Sequence, residues 1–286
     1  IHEAIKECLS GHGVVQSKLQ LSSPERHFDL YAVVLQEKGS QPAGAVLVIH
    51  DVTDLYKLEV IRRDFVANAS HELKTPLTAI RGFTETMLDD VDMDEKTRND
   101  FLEKIRGQTL RLSALASDLL ALSRIESRDS GPYDQIDIRE TIENCTNALQ
   151  SAVLEKKQTL IVNLPDEKVI VLADEKGMSQ LLDNLVDNAI NYTPAGGSIE
   201  VSLKMSEKEA IIEVKDSGIG IDLSEQERIF ERFYRVDKSH SRLSEGTGLG
   251  LSIVKHIVMK HGGQISVVSS PDNGSVFRVS VPLENS

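Results

Sequence analysis

Leu181-Leu182-Asp183-Asn184-Leu185-Val186-Asp187-Asn188-Ala189-Ile190-Asn191-Tyr192-Thr193 is the stretch on which the fold turns. Leu181, Leu182, Leu185, Val186, Ala189 and Ile190 recur at helical spacing, while Asn184, Asn188 and Asn191 step by four and then three along another face. The pattern predicts a helix over 175–192. Upstream, 138–156 reads as a helix and 159–163 and 169–173 as short strands. Downstream, 198–205 and 210–216 are consecutive strand-like runs and hence an expected antiparallel pair. A helix over 248–261 and strands over 264–269 and 275–282 complete the set. Residues 134–286 are therefore expected to form an α/β sandwich: one sheet with helices on one face.

The asparagines are candidate ligands. Three carboxamides in line could hold a hydrated Mg²⁺ bearing phosphates, since Mg²⁺ prefers oxygen and keeps waters; a solvated polar face is the plainer alternative. Tyr192 and Thr193 could line a base pocket. Two glycine-rich segments accompany them. Asp216-Ser217-Gly218-Ile219-Gly220-Ile221 follows a strand, and Gly246-Thr247-Gly248-Leu249-Gly250-Leu251 opens a helix whose free N–H groups would face phosphate. Neither is the dinucleotide fingerprint, and no P-loop occurs. Between them, 223–245 is charged and mostly aperiodic, as a mobile lid over a nucleotide would be.

A long helical pattern covers 53–90: Leu58, Ile61, Phe65, Ala69, Leu73, Ile80, Phe83 and Met87 recur at steps of three, four or seven. The charged stretch 89–100 breaks it, and Phe101, Ile105, Leu112, Leu115, Leu119 and Leu122 resume it with heptad-like spacing. Two such helices make a hairpin. A lone hairpin buries its stripes poorly, so pairing with a second copy into a four-helix bundle is expected. His71 projects from the far side of the first stripe, with Glu72 beside it, Thr75 one turn on and Pro76 within the helix. Neutral imidazole is a competent nucleophile, and Glu72 could accept its proton.

Residues 1–54 read as mixed α/β: a helix closing over 4–9, stopped by Gly11 and Gly13, then strands over 14–21, 27–36 and 43–51, separated by turns at Ser23-Pro24 and 39–42. This is a thin core, the later part of something larger. Ser127 to Tyr133 reads as a linker. The net charge of −13 and 4% aromatics argue against nucleic acid as a partner. Cys8 and Cys145 form no C-x-x-C pair, which disfavours a disulfide framework or a cysteine zinc site and favours a reducing compartment. No apolar run approaches the roughly 20 residues that span a bilayer. The first residue is Ile1, so a piece of a longer protein is expected, with no direct membrane contact in this segment.

The motifs, in order, carry a resemblance. Ser70-His71-Glu72-Leu73-Lys74-Thr75-Pro76-Leu77-Thr78 resembles the H box of bacterial two-component sensor histidine kinases, and 184–193 resembles their N box. The runs 216–221, 230–234 and 246–251 resemble their first glycine, F and second glycine boxes. Phe233-Tyr234-Arg235-Val236-Asp237-Lys238-Ser239 looks most like phosphate-responsive and cell-wall-responsive members, and 46–54 resembles the last strand and exit of a PAS sensory domain. The resemblance implies a multidomain α+β chain: the later part of a PAS-like domain over 1–54, a dimerisation and phosphotransfer hairpin over 55–128, and an ATP-binding domain of the GHKL type over 134–286.

It further implies that His71 takes the γ-phosphoryl of ATP with Glu72 as base, and passes it to an aspartate on a response regulator. Asn188 with Asn184 would hold Mg²⁺, Tyr192 would cover adenine, and Asp216 would accept a hydrogen bond from its amino group. Gly218, Gly220, Ile221, Gly246, Thr247, Gly248, Leu249, Gly250 and Leu251 would shape the hinges and phosphate cradle. Arg235 would lie near the γ-phosphate, and Thr75 would position water for dephosphorylating the regulator. Asn191 would line the site, where many members carry Lys. Two rivals are weighed. A gyrase-like or chaperone-like ATPase would carry a glutamate where Asn184 stands and no H box; a nucleotide-binding dimer signalling by shape alone would not turn ATP over.

Overall fold

The structure, a computed structural model, describes residues 5–7, 14–36, 42–126, 133–236 and 246–283. The ends of the helix expected over 4–9, its glycine stops, most of the 39–42 turn, the linker at 127–132 and residues 237–245 lie outside the described residues. The described residues divide into two compact units, 1–71 and 72–286.

In the first unit, β1 (Val14–Ser22), β2 (Glu25–Gln36) and β3 (Pro42–Asp51) form an antiparallel meander, matching the three expected strands to within two residues. Leu30 and Ala32 of β2 are its buried apolar side chains among the described residues, and His27 of the same strand is buried as well. The exit into α1 (Thr53–Asp89) is tightly bonded. Asp51 accepts from the Thr53 amide at 3.0 Å and hydroxyl at 2.5 Å, and the Thr53 hydroxyl oxygen accepts from the His27 amide at 3.0 Å. The His27 ring stacks on Tyr56 at 3.7 Å. The helix runs through Pro76, its one buried residue.

In the second unit the break between the long helices is only 90–94, shorter than the charged stretch 89–100. Asp94 caps the new helix by accepting from Thr97 N at 3.0 Å and Thr97 Oγ1 at 2.6 Å, so α2 starts at once (Glu95–Glu126). Phe83 of α1 meets Phe101 of α2 at 5.4 Å, which closes the loop end of the hairpin. No helix among the described residues is long and apolar enough to cross a membrane.

The sandwich follows with α3 (Ile138–Glu155), α4 (Glu175–Tyr192) and α5 (Gly250–Lys260) on a five-stranded sheet. Its strands are β5 (Thr159–Asn163), β7 (Ser198–Met205), β8 (Glu209–Asp216), β9 (Gln264–Ser269) and β10 (Ser275–Pro282), in the order β5-β7-β8-β10-β9. Only β5 with β7 is parallel. Ile199, Val201 and Leu203 of β7, Ala210, Ile212 and Val214 of β8, and Val279 and Val281 of β10 alternate inward onto Leu182, Leu185, Ile253 and Ile257 of the helices. The other face is polar, where Glu213 accepts from Lys204 at 2.7 Å and pairs with Arg278 at 2.6 Å.

One expectation needs correction. The sandwich holds two sheets, not one: β6 (Ile170–Ala173) pairs antiparallel with β4 (Asp134–Asp137), a strand absent from the sequence reading, as a separate ribbon. Asp137 explains the detour. Its carboxylate caps α3 at Arg139 N (3.1 Å) and also accepts from Val169 N (3.2 Å), which ties the ribbon to the helix. Tyr133, just before β4, donates its hydroxyl to the Lys260 carbonyl at 3.1 Å and packs on His261, whose Nε2 accepts from Asp174 N at 3.0 Å.

Candidate active site

Three elements converge at one end of the sandwich: the last turns of α4, the end of β8 and the start of α5. Asp216 ends β8 and is 6% exposed. Its Oδ1 accepts from Gly218 N at 2.8 Å. Burial raises its carboxyl pKa above the ordinary 3.8, and the amides of Gly218 and Ser275 oppose that shift. A Cβ on Gly218 would strike the Tyr192 carbonyl, so the first glycine segment lies directly on the end of α4. Gly220 has φ +71° and presses on the Ser270 carbonyl, where no side chain fits. Ile221 is half-buried, and its amide donates to Ser269 Oγ at 2.8 Å.

The second glycine segment lies against the other end of the asparagine row. A Cβ on Gly250 would stand 2.8 Å from Asn184 Oδ1. Asn184 Nδ2 donates to the Gln180 carbonyl at 2.9 Å, which leaves the carboxamide oxygen toward α5. Asn188, half-buried, has no hydrogen-bond partner among the described residues, so its oxygen is available to a hard cation. The carboxamide oxygen of Asn191 is already engaged: it accepts from Lys156 Nζ at 2.9 Å. Tyr192 is 40% exposed at the mouth, and Thr193 is buried beneath it. Gly246 is exposed, Leu249 is fully buried and Leu251 half-buried.

The lid expected over 223–245 is corrected in its first part. Ile229 is buried, Phe230 sits edge-on to Phe277, and Phe233 N donates to the Gly248 carbonyl at 2.8 Å. Residues 228–234 thus form a wall packed against α5, and Arg235 is half-buried beside it. Cys145 is a free thiol in the core; burial, with Asp183 and Asp187 nearby, pushes its pKa well up, so it is no nucleophile.

On the hairpin, His71 and Thr75 are exposed on α1, one turn apart. Glu72 is half-buried, and its Oε2 accepts from Arg111 Nη2 of α2 at 3.0 Å. Seven residues beyond Arg111, Asp118 Oδ2 accepts from the Thr247 hydroxyl at 2.6 Å. Neither Arg111 nor Asp118 was singled out by the sequence. Their seven-residue spacing on one helix face is a signal that an apolar heptad count passes over.

Comparisons with known proteins bear directly on this arrangement. A profile of the His Kinase A (phospho-acceptor) domain matches residues 61–128, and one of the histidine kinase-, DNA gyrase B- and HSP90-like ATPases matches 173–285. The chain is 37% identical over 254 residues to the sensor histidine kinase WalK of Bacillus subtilis, covering 88% of this chain and 41% of that protein. It is 39% identical over 239 residues to the sensor-like histidine kinase SenX3 of Mycolicibacterium smegmatis, covering 83% and 62%. The chain belongs to the sensor histidine kinases. The phospho-acceptor match sets it apart from the gyrase-like and chaperone-like ATPases that share the second profile. As a sensor histidine kinase chain it is a part-length match, spanning 41% and 62% of those two relatives. Among solved structures, the Acinetobacter baumannii histidine kinase AdeS superposes with TM-score 0.60 at 27% identity, covering 75% of this chain and 98% of that one. Histidine kinase ThkA, solved in complex with response regulator protein TrrA, shares the fold at TM-score 0.64 and 24% identity, covering 99% and 82%.

Proposed function

We propose that this chain is the ATP-consuming, phosphohistidine-forming part of a two-component sensor kinase. The carrying observation is the presence in one chain, in order, of a phospho-acceptor hairpin with His71-Glu72 at its surface and an ATPase domain whose two glycine segments flank one asparagine row. An imidazole nitrogen of His71 attacks the γ-phosphorus of ATP, the bond to the β–γ bridging oxygen breaks and ADP leaves. The imidazole proton passes to Glu72, which must first exchange its bond to Arg111 for one to His71. Asp216 accepts from the adenine amino group and Tyr192 covers the base. Gly246, Thr247 and Gly248 shape the phosphate cradle at the start of α5. Arg235 supplies positive charge near the transferring group.

Bound Mg²⁺ neutralises charge on the phosphates. The residues present suit it: Asn188, with Asn184, would hold it through carboxamide oxygens. Asn191 with its oxygen on Lys156 is left with N–H donors for the site.

The phosphoryl group then passes to an aspartate of a response regulator docked on the hairpin. A chain of the same fold, ThkA, has been solved with such a partner. Thr75, one turn from His71, would position water when the kinase dephosphorylates that partner. The parts are a PAS-like segment over 1–54, a hairpin over 55–128 that pairs with a second copy, and the ATP domain over 134–286. We place them on the cytoplasmic side of a membrane protein.

Incubation with Mg²⁺ and γ-labelled ATP, comparing the native chain with His71→Ala, tests the reading. Acid-labile, base-stable label that disappears in the variant is expected. Tight ATP binding without any label would instead favour a signalling dimer that does not turn ATP over.

A further inference from the structure

Asp118 is the feature of this chain that the phosphotransfer chemistry does not use. It lies on α2 between Leu115, three residues before it and 3% exposed, and Leu122, four residues after it and fully buried. All three share one helix face, so an acidic group has been set in an apolar seam. Burial raises its carboxyl pKa, and the Thr247 hydroxyl pulls it back. A carboxylate taken out of water is costly unless a donor meets it. Thr247 is that donor, at 2.6 Å across 129 residues of chain, and it is the second residue of the glycine segment that opens α5. The Thr247 oxygen simultaneously accepts from Leu249 N at 3.2 Å. The Asp118 carboxylate is thus bonded into the same turn that would receive the nucleotide's phosphates, and α2 packs on α5 there.

We propose that Asp118 is a built-in anion that competes with the nucleotide's phosphates at the start of α5, so that nucleotide binding and the docking of α2 on α5 oppose each other. The inference rests on the nucleotide-site reading above. Two like charges cannot share one small donor set, and Thr247 has a single hydroxyl proton to give. Phosphate arriving at the Gly246–Gly248 turn repels the carboxylate and takes its donor, which frees the hairpin from the domain. Coupling is reciprocal: docking weakens nucleotide affinity by the factor by which nucleotide weakens docking. The nucleotide-free kinase is thereby held with its phosphotransfer hairpin clasped.

The test measures displacement of a fluorescent ATP analogue by Mg²⁺ and a non-hydrolysable ATP analogue, in the full chain, for native protein, Asp118→Asn and Asp118→Ala. Asn keeps the shape and an acceptor for Thr247 but drops the charge. The expected result is nucleotide binding about five-fold tighter or more in both variants. In the native chain, hydrogen exchange over 112–122 should rise when the nucleotide is added. Unchanged or weaker affinity in Asp118→Asn, with a native-like thermal melt, overturns the proposal, as does flat exchange over 112–122. Asn decides the matter should Ala fail to fold. A native chain that binds no nucleotide sinks the nucleotide-site reading itself, an outcome distinct from firm native binding that ignores Asp118.

Discussion

At Asp216 the demands of binding and of folding pull in opposite directions. Its burial raises the folded-state pKa above 3.8, so its contribution to stability is full below the unfolded value and is lost as pH rises through the folded value. At neutral pH the ionised group is a cost carried for the sake of the site. Asp216→Asn is therefore expected to weaken nucleotide binding tenfold or more, about 1.4 kcal/mol. Its thermal midpoint should stay within a few degrees of native; a large drop would mark Asp216 as structural instead. Glu72→Gln should cut the rate of autophosphorylation about a hundredfold with nucleotide affinity unchanged, read by single-turnover labelling. The asparagine row, Asp216 and His71 stand out in the sequence because the chemistry proposed for them depends on residue type and local spacing. Arg111, Lys156 and Asp118 do not, because each matters through a partner 39, 35 or 129 residues away.

Most helices and strands of the sandwich were legible almost to the residue, since most have one inward face and so a clear period. Helix α4 and strands β7, β9 and β10 fall where the pattern places them. The ribbon β4–β6 was not read whole, because a four-residue strand carries too few repeats to declare a period. Residues 228–234 read as aperiodic for a related reason: Ile229, Phe230 and Phe233 pack singly rather than along a stripe. Capping makes a sharp test at this scale. Asp137 satisfies two backbone amides, one in α3 and one beside β6. Asp137→Ala should lower unfolding free energy by about 1–2 kcal/mol, seen as a lower urea midpoint with unchanged slope. A shift near zero would mean that water replaces the cap.

For the molecule as a whole, two expectations concern assembly and charge. Along α2, Leu115 and Leu122 are closed within the chain, whereas Leu112 and Leu119 stay half-exposed, as positions waiting for a second copy would. Sedimentation should show a dimer that Leu112→Glu with Leu119→Glu converts to monomer; a native monomer at tens of micromolar would count against pairing through this seam. On the open face of the sheet, Lys204 and then Arg278 hold the Glu213 carboxyl below its ordinary 4.5. That stability is present above the unfolded pKa and is lost as pH falls through the folded one. Glu213→Gln should therefore narrow the gap in thermal midpoint between pH 7 and pH 3.

Tyr133 fastens the start of β4 to the Lys260 carbonyl and to His261, at the far end of α5 from the glycine turn. An 11-residue helix is a stiff rod about 16 Å long. A shift of Tyr133 would thus be felt at one end of this rod, whose other end opens from the glycine segment 246–251.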